Sequence, residues 1–398
     1  MPFRLLCAVS CAAAIFAAGA AGASPPPGGI YAIIEASAAD QYPIARKALR
    51  NPGVDGLLIH LRWKDISPSL MQYDWTALDQ AVQVAVKAHK RSEIGIVTGA
   101  ALPDWVTAPP PQGLGAKSAT FDVLPVGGTC TTFTMAAPWD RAYLKAFRNL
   151  LHQLSAHLRA TGAYGHLSML KLFGITTTTD ELRVPALTEC SVDAVQTWIS
   201  LGYTQANMET AWKAMLQDYL DEFPRKSFNI GFIGFNAFPG IAADGKVATT
   251  EEQAARISAR FSAILYNDAG AAMPGRLALG FDSLVLKHPP TDKSYGHSKR
   301  EFFADVDSAN ARPGWQTNEL LGNYPGGGAA CEGSSPADAV ACANAREFRR
   351  MLLRGVYPKG PAGTPPGMQG VYLEVFPQNA VAFPRALAPV HASLAPWN

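Results

Sequence analysis

Eight short apolar runs, most of them followed by a stretch of helical periodicity, are the feature that most narrows what this chain can become. The runs are GIYAIIEA (29–36), VDGLLIHLRW (54–63), SEIGIVTGA (92–100), LSMLKLFGI (167–175), FNIGFIGFN (228–236), LALGFDSLVL (277–286), RPGWQTNELL (312–321) and GVYLEVF (370–376). Near-continuous apolar runs suit strands covered on both faces, and strands that alternate with helices pair in parallel through right-handed crossovers. Helical periodicity is expected over 74–90, 139–161, 192–223, 251–267, 337–356 and 380–394; in the second of these the apolar residues fall at Tyr143, Leu144, Phe147, Leu150, Leu151, Leu154 and Leu158, one face of a 3.6-residue repeat. Eight such units close most naturally into a ring, so the expected fold class is α/β, a single (β/α)8 TIM barrel with long loops at its C-terminal face. A doubly wound open sheet is the competing arrangement, but no GxGxxG follows the first run, where its dinucleotide turn would stand.

The amino terminus reads as something other than part of that barrel. Arg4, an apolar run from Leu5 to Ala18, and the small-x-small triplet Ala21-Gly22-Ala23 have the layout of a cleaved secretory signal, which predicts a signal peptide over 1–23 and a barrel domain over 24–398. No later segment offers the apolar length of a membrane span, so an exported protein, periplasmic or extracellular, without an integral membrane segment is expected. Beyond the signal, Cys130, Cys190, Cys331 and Cys342 remain, an even number that in an exported chain favours disulfides. Four cysteines permit three connectivities, of which the close spacing of Cys331 and Cys342 in one Gly-rich segment favours the one that pairs them and leaves Cys130 with Cys190. With 34 basic and 32 acidic residues the net charge is only +2, with no basic stripe, so nucleic acid and anionic membranes are poor partners. No CxxC or HxxxH spacing suggests a metal, no cofactor is expected, and nothing in the sequence specifies an oligomer.

A barrel places its site on the loops that follow the C-terminal ends of the strands. The residues that fall there are Glu35, His60, Arg62, Trp63, Asp104, Trp105, Asp180, Glu181, Asn236, Asp282, Lys287, Asn318, Glu319 and Glu374. Paired carboxylates serve glycosidic cleavage, one protonated to assist the leaving oxygen and one ionised to attack or shield the sugar carbon. Tryptophans on the same rim offer flat faces for the C–H surfaces of sugars. This mixture is consistent with a carbohydrate ligand and would also suit other polar ligands.

The segment RWKDISPSLMQYDWTALDQAVQVAVKAHKRSEIGIVTGAALPDWV (62–106) resembles the second and third units of the (β/α)8 glycoside hydrolase superfamily, notably its beta-galactosidase-like and cellulase-like members. The likeness rests on the Arg-Trp near the second strand, the Tyr-Asp-Trp entry to the next helix, and Pro-x-Trp after the third strand. It implies a retaining hydrolase with an acid/base Glu after the fourth strand, matched by Glu181, and a nucleophilic Glu after the seventh, matched by Glu319. Arg62, Trp63, Trp105, Asn236, Trp315, Gln316 and Glu374 are then expected to bind substrate. The chain departs from the superfamily in carrying its Asn-Glu pair, Asn318-Glu319, after the seventh strand, with Asp180-Glu181 behind a run of threonines after the fourth, and no Trp was identified at the end of the eighth.

Alternatives stay open at several positions. Asp180 can replace Glu181, and Glu374 competes with Glu319. Glu35 reads as an ion-pair partner for Arg62, and His60 as a satisfied barrel residue. The rim would also suit a carbohydrate-binding barrel without catalysis, or another barrel enzyme such as a lyase or metal-dependent hydrolase. Two long segments, 107–138 and 322–336, fall on the same face, and a Cys130–Cys190 bridge would tie the first of them to the loop bearing Glu181.

Overall fold

The computed structural model describes residues 28–70, 72–124, 128–232, 236–284, 305–306, 313–317, 345–356 and 370–394. The strands are β1 (Gly29–Glu35), β2 (Gly56–Arg62), β3 (Arg91–Val97), β4 (Ser118–Val123), β5 (Thr131–Ala136), β6 (Leu167–Lys171), β7 (Ser227–Phe232), β8 (Leu277–Leu284), β9 (Pro313–Thr317) and β10 (Tyr372–Val375). Eight of them close a barrel in the order β1-β2-β3-β6-β7-β8-β9-β10 and back to β1, every pair parallel. Each apolar run named above supplies one barrel strand, and the fold is a (β/α)8 barrel. The signal reading over 1–23 and the Cys331–Cys342 pairing lie outside the described residues.

The helices are α1 (Tyr42–Leu49), α2 (Trp63–Ile66), α3 (Thr76–Lys87), α4 (Asp104–Thr107), α5 (Arg141–Ala160), α6 (Ala194–Leu201), α7 (Gln205–Glu222), α8 (Glu251–Ala272), α9 (Ala345–Val356), α10 (Pro377–Ala382) and α11 (Pro384–His391). In α5 the expected stripe is the buried one, and Asp140 caps the helix by accepting from the N–H groups of Ala142 and Tyr143 at 2.8 and 3.2 Å. The helical stretch expected over 192–223 is two helices, because Gly202 turns left-handed at φ 86° and Thr204 caps a new start. A break at Phe383 before Pro384 likewise divides the carboxy-terminal stretch. Among the described residues no helix is long and apolar enough to cross a membrane.

One element is new relative to the sequence reading. Within the 107–138 insertion, β4 and β5 form an antiparallel hairpin, with Ser118 opposite Ala136 and Val123 opposite Thr131. Its Phe121 is buried against Trp198 of α6 at 4.6 Å between ring centroids. The predicted Cys130–Cys190 disulfide is present and joins this hairpin to the loop after β6.

Side chains alternate across each barrel strand with period two. Outward residues such as Ile30, Ala32, Ile34, Leu57 and Ile59 join the large apolar core beneath the helices. Inward, Tyr31, Ile33, Leu58, Met169 and Tyr372, with Val371 just before β10, form a small separate cluster. Inward on β3, β6, β7 and β10 also stand Glu93, Lys171, Asn229 and Glu374, all buried.

Candidate active site at the barrel mouth

The loop after β6 crosses the C-terminal face and is stitched to the ends of β3 and β7. The N–H of Thr98 donates to Thr176 Oγ1 at 2.8 Å and that of Ala100 to the Thr177 carbonyl at 2.8 Å. On the far side Leu182 N–H donates to the Gly231 carbonyl at 3.0 Å, and Val184 N–H to that of Ala237 at 2.8 Å. Between these anchors the chain dips into the barrel. Asp180 points inward and is 1 % exposed, while Glu181 sits over β7, 4 % exposed. Glycines make the room: a Cβ on Gly95 would lie 2.7 Å from Asp180 Oδ2, and one on Gly231 would lie 3.2 Å from both Cα and Cγ of Glu181.

Asp180 lands between two cations. Its Oδ2 is 2.8 Å from His60 Nε2 and 3.0 Å from Lys171 Nζ. Lys171 Nζ also donates to Glu374 Oε2 at 3.0 Å, and His60 Nδ1 is 3.1 Å from Glu35 Oε1. Burial opposes the imidazolium of His60, but the Asp180 charge and the hydrogen bonds to Asp180 and Glu35 outweigh it and raise its pKa well above the ordinary value. Lys171 follows the same logic: burial acts to lower its pKa, and Asp180, Glu374, Glu93 and Glu181 together hold it well above normal. For Asp180, burial disfavours the carboxylate, yet His60 and Lys171 keep it ionised far below the usual range.

Below this layer two carboxyls share partners. Asn229 Nδ2 donates to Glu93 Oε1 at 3.2 Å and to Glu374 Oε1 at 3.0 Å, and the Tyr372 hydroxyl touches Glu93 Oε2 as well as Glu374 Oε1 at 2.9 Å. A phenol has one hydrogen, so both contacts are satisfied together only when one carboxyl is protonated and donates to the phenol oxygen. Glu93 fits that role: burial, then repulsion from Glu374, push its pKa up to about 8 against the pull of Lys171. Glu374 is also raised, by burial first, with Lys171 opposing.

Several expectations are corrected here. Trp63 is fully buried and Trp105 is 4 % exposed, the two rings meeting edge to face at 6.2 Å. The single turns α2 and α4 carry these indoles under the helices, where Trp63 packs on Tyr143 and Trp105 Nε1 donates to the Ser67 carbonyl at 2.9 Å; neither presents a face to a sugar. Glu374, expected on the rim, is 1 % exposed and points into the barrel toward Lys171. Glu35 pairs with His60, and Arg62 stands 3.8 Å from Asp65, in a groove of about 200 Å³ at the ends of β1 and β2 that Leu61 and Gln80 also line. His60, buried at the end of β2, stands between the carboxylates of Glu35 and Asp180.

Asn236 lines, with Thr177, Thr178, Arg183, Phe133 and Glu189, a cavity of about 240 Å³ between the β4–β5 hairpin and the loop after β6. Arg183 donates from Nη2 to the Thr178 and Thr179 hydroxyls at 3.3 and 2.7 Å, and its Nε is 3.8 Å from Glu181 Oε2, which also accepts from Thr179 Oγ1. Trp315 and Gln316 lie on β9, in register with Leu373 and Glu374 of β10. Glu319, with Asn318 and Lys287, lies outside the described residues.

The sequence reading missed the inward group Glu93, Lys171, Asn229 and Tyr372. Its one local signal is a charge standing inside an apolar run, as in SEIGIV and LSMLKL.

No family model matches the chain, and no curated protein does. Among solved structures, the catalytic domain of a beta-amylase from Paenibacillus polymyxa superposes with a TM-score of 0.55 at 12% identity, over 89% of this chain and 94% of that one. An exo-beta-1,4-mannosidase from Opitutaceae bacterium strain TAV5 gives a TM-score of 0.44 at 15% identity, over 89% of this chain and 52% of that one. A beta-galactosidase from the psychrophilic Marinomonas ef1 gives 0.34 at 13% identity, over 75% and 42%. At these identities the beta-amylase domain establishes a shared barrel fold, and the two lower scores carry no argument.

Proposed function

We propose that the protein is an exported retaining glycoside hydrolase acting on O-glycosidic bonds of a carbohydrate, with Glu181 as general acid/base and Glu319 as nucleophile. The observation that carries this reading is the seating of Glu181: a carboxylate on the loop after the fourth barrel strand, over Gly231 at the mouth and 3.8 Å from Arg183, which lines the cavity of about 240 Å³ beside that loop. Glu319 enters by sequence, two residues beyond Thr317, the last residue of the seventh barrel strand. In such a reaction the acid gives its proton to the leaving oxygen as the nucleophile's carboxylate bonds to the anomeric carbon. Water, deprotonated by the first residue, then releases the sugar with its configuration retained. Thr177, Thr178, Arg183 and Asn236 supply hydroxyl, guanidinium and amide groups for sugar hydroxyls, and Trp315 and Gln316 on β9 are further candidate contacts. The leader-like residues 1–23 and the Cys130–Cys190 bridge support export to an oxidising compartment.

A carbohydrate-binding barrel without catalysis is the second reading, favoured by the low exposure of Glu181 and its ties to Thr179 and Arg183. Turnover of a panel of aryl glycosides, followed by trapping with a slow-turnover fluorosugar and mass analysis of the labelled peptide, separates the two. Hydrolysis with label on Glu319 is the expected result, and Glu319→Gln should abolish turnover with folding intact. Sugar binding without hydrolysis would establish the second reading, and label on another carboxylate would displace Glu319.

A further inference from the structure

Five side chains of alternating charge run from the surface to the barrel axis: Glu35, His60, Asp180, Lys171 and Glu374, with successive contacts of 3.1, 2.8, 3.0 and 3.0 Å. The outer end is open, the Glu35 side chain being 44% exposed, whereas the other four are buried. They come from β1, β2, the loop after β6, β6 itself and β10, so the chain ties the only member on a loop to four strands of one rigid ring. Buried ion pairs of this kind contribute little net stability, because the cost of removing the charges from water offsets their attraction. What they do supply is a defined position.

We propose that this chain is the seat of the catalytic loop, and that Asp180 is a positioning residue which, gripped by His60 and Lys171, fixes where Glu181 stands. The proposal rests on the reading of Glu181 as proton donor. Asp180 is the residue immediately before Glu181, and its carboxylate is held in the space left by the missing Cβ of Gly95. On the other side the N–H groups of Leu182 and Arg183 are bound at 3.0 Å each, to the carbonyls of Gly231 and Ile175. The backbone of Glu181 is therefore clamped from both sides, and its placement depends on the grip on Asp180. A proton donor held within a fraction of an ångström of its acceptor needs support of this sort.

The test compares two substrates of the sugar identified by the aryl glycoside panel. A 2,4-dinitrophenyl glycoside departs without protonation, while a phenyl glycoside needs the acid. Asp180→Asn keeps the side-chain volume and weakens both ion contacts. It is expected to lower kcat on the phenyl glycoside by about 100-fold, within the range general acids contribute, with KM little changed, and to slow the dinitrophenyl glycoside by only about 3-fold. Gly95→Ala, whose new methyl would displace the Asp180 carboxylate, should give the same split without altering any charge. Near-unchanged thermal unfolding of at least one of the two variants makes the comparison valid, and loss of fold in both would assign the chain to stability and overturn the proposal. Equal losses on both substrates, or no loss, would also overturn it. Glu181→Gln serves as the reference: if it shows the leaving-group split and the Asp180 and Gly95 variants do not, the positioning role alone has failed. If Glu181→Gln shows no split, the proton-donor assignment has failed.

Discussion

The two faces of the barrel strands are built from opposite materials. Outside, Ile30, Ile34, Leu57 and Ile59 belong to one continuous apolar layer that also takes in Leu49, Leu78, Phe147, Leu150 and Trp212 of the helices. Inside, on β3, β6, β7 and β10, Glu93, Lys171, Asn229 and Glu374 fill the axis, with Asp180 lowered in from the mouth. The outer layer is non-directional and tolerates rearrangement at constant volume, since its free energy follows buried area and packing. The inner group depends on the pairing of each charge, because a buried charge that loses its partner carries a desolvation penalty that repacking does not relieve. The contrast teaches a division of labour, in which the shell supplies stability and the axis supplies position and electrostatics for the mouth.

The largest effect that could break this contrast comes from Lys171. Lys171→Met preserves length and removes the cation that Asp180 and Glu374 share at 3.0 Å each, leaving two buried carboxyls without it. Its cost should be about 3–5 kcal/mol, as for other buried pairs deprived of one partner, measured by urea unfolding at neutral pH. Acidification should return part of the loss, as the Glu374 carboxyl, raised by its burial, takes up a proton. A loss below about 1 kcal/mol would mean that the axis is wetter and less tightly coupled than its geometry indicates.

Glu93 sharpens the comparison through pH. Its carboxyl is raised by burial to about 8 in the folded protein, against 4.5 for the ordinary group. The unfolded chain gives up this proton first, so the stabilising contribution is whole below about 4.5 and is lost as pH rises toward about 8. That displacement corresponds to on the order of 5 kcal/mol between the ends of the window. Glu93→Gln, neutral throughout, should flatten the unfolding free energy over this range and stabilise the protein at its alkaline end. A shell substitution such as Leu150→Ala, on a fully buried face of α5, should instead cost about 3 kcal/mol with no dependence on pH over the same range. Parallel pH curves for the wild type and Glu93→Gln would remove Glu93 as the titrating group.

How much of this was legible in the sequence follows the same division. All eight barrel strands could be read as apolar runs, because a strand covered on both faces is apolar at nearly every position and needs no partner to be recognised. The hairpin β4–β5 was hidden by its Pro-, Gly- and Thr-rich surroundings, although SATFDV and TTFTMA do alternate. Trp63 and Trp105 follow the ends of β2 and β3 in sequence and so looked like rim residues; only the one-turn helices after those strands reveal that they turn beneath Tyr143 and Ser67. The axis was the least legible part. Glu93, Lys171 and Glu374 are far apart in the chain and acquire their meaning from barrel closure, which brings β3, β6 and β10 round one centre. Asp180 and Glu181 could be named as candidates, but their division into an inward anchor and a mouth carboxylate depends on the space above Gly95 and Gly231.

The smallest effect comes from setting one aspartate against another. Asp140 accepts two N–H groups at the start of α5, in the outer layer, whereas Asp180 is held by two cations at the axis. Asp140→Ala removes a helix cap and should cost about 1 kcal/mol, typical of N-cap losses. The freed N–H groups of Ala142 and Tyr143 lie in the first turn, where water can replace the lost acceptor, so no buried charge is stranded. The aryl glycoside rates should then remain equal to those of the wild type on both good and poor leaving groups, because the described links of α5 to the mouth are buried apolar packing and the Tyr143 hydroxyl on the Gly174 carbonyl and Thr98, none of which involves Asp140. A leaving-group split in Asp140→Ala would show that strain in the shell is transmitted to Glu181, and the separation of the two layers would have to be given up.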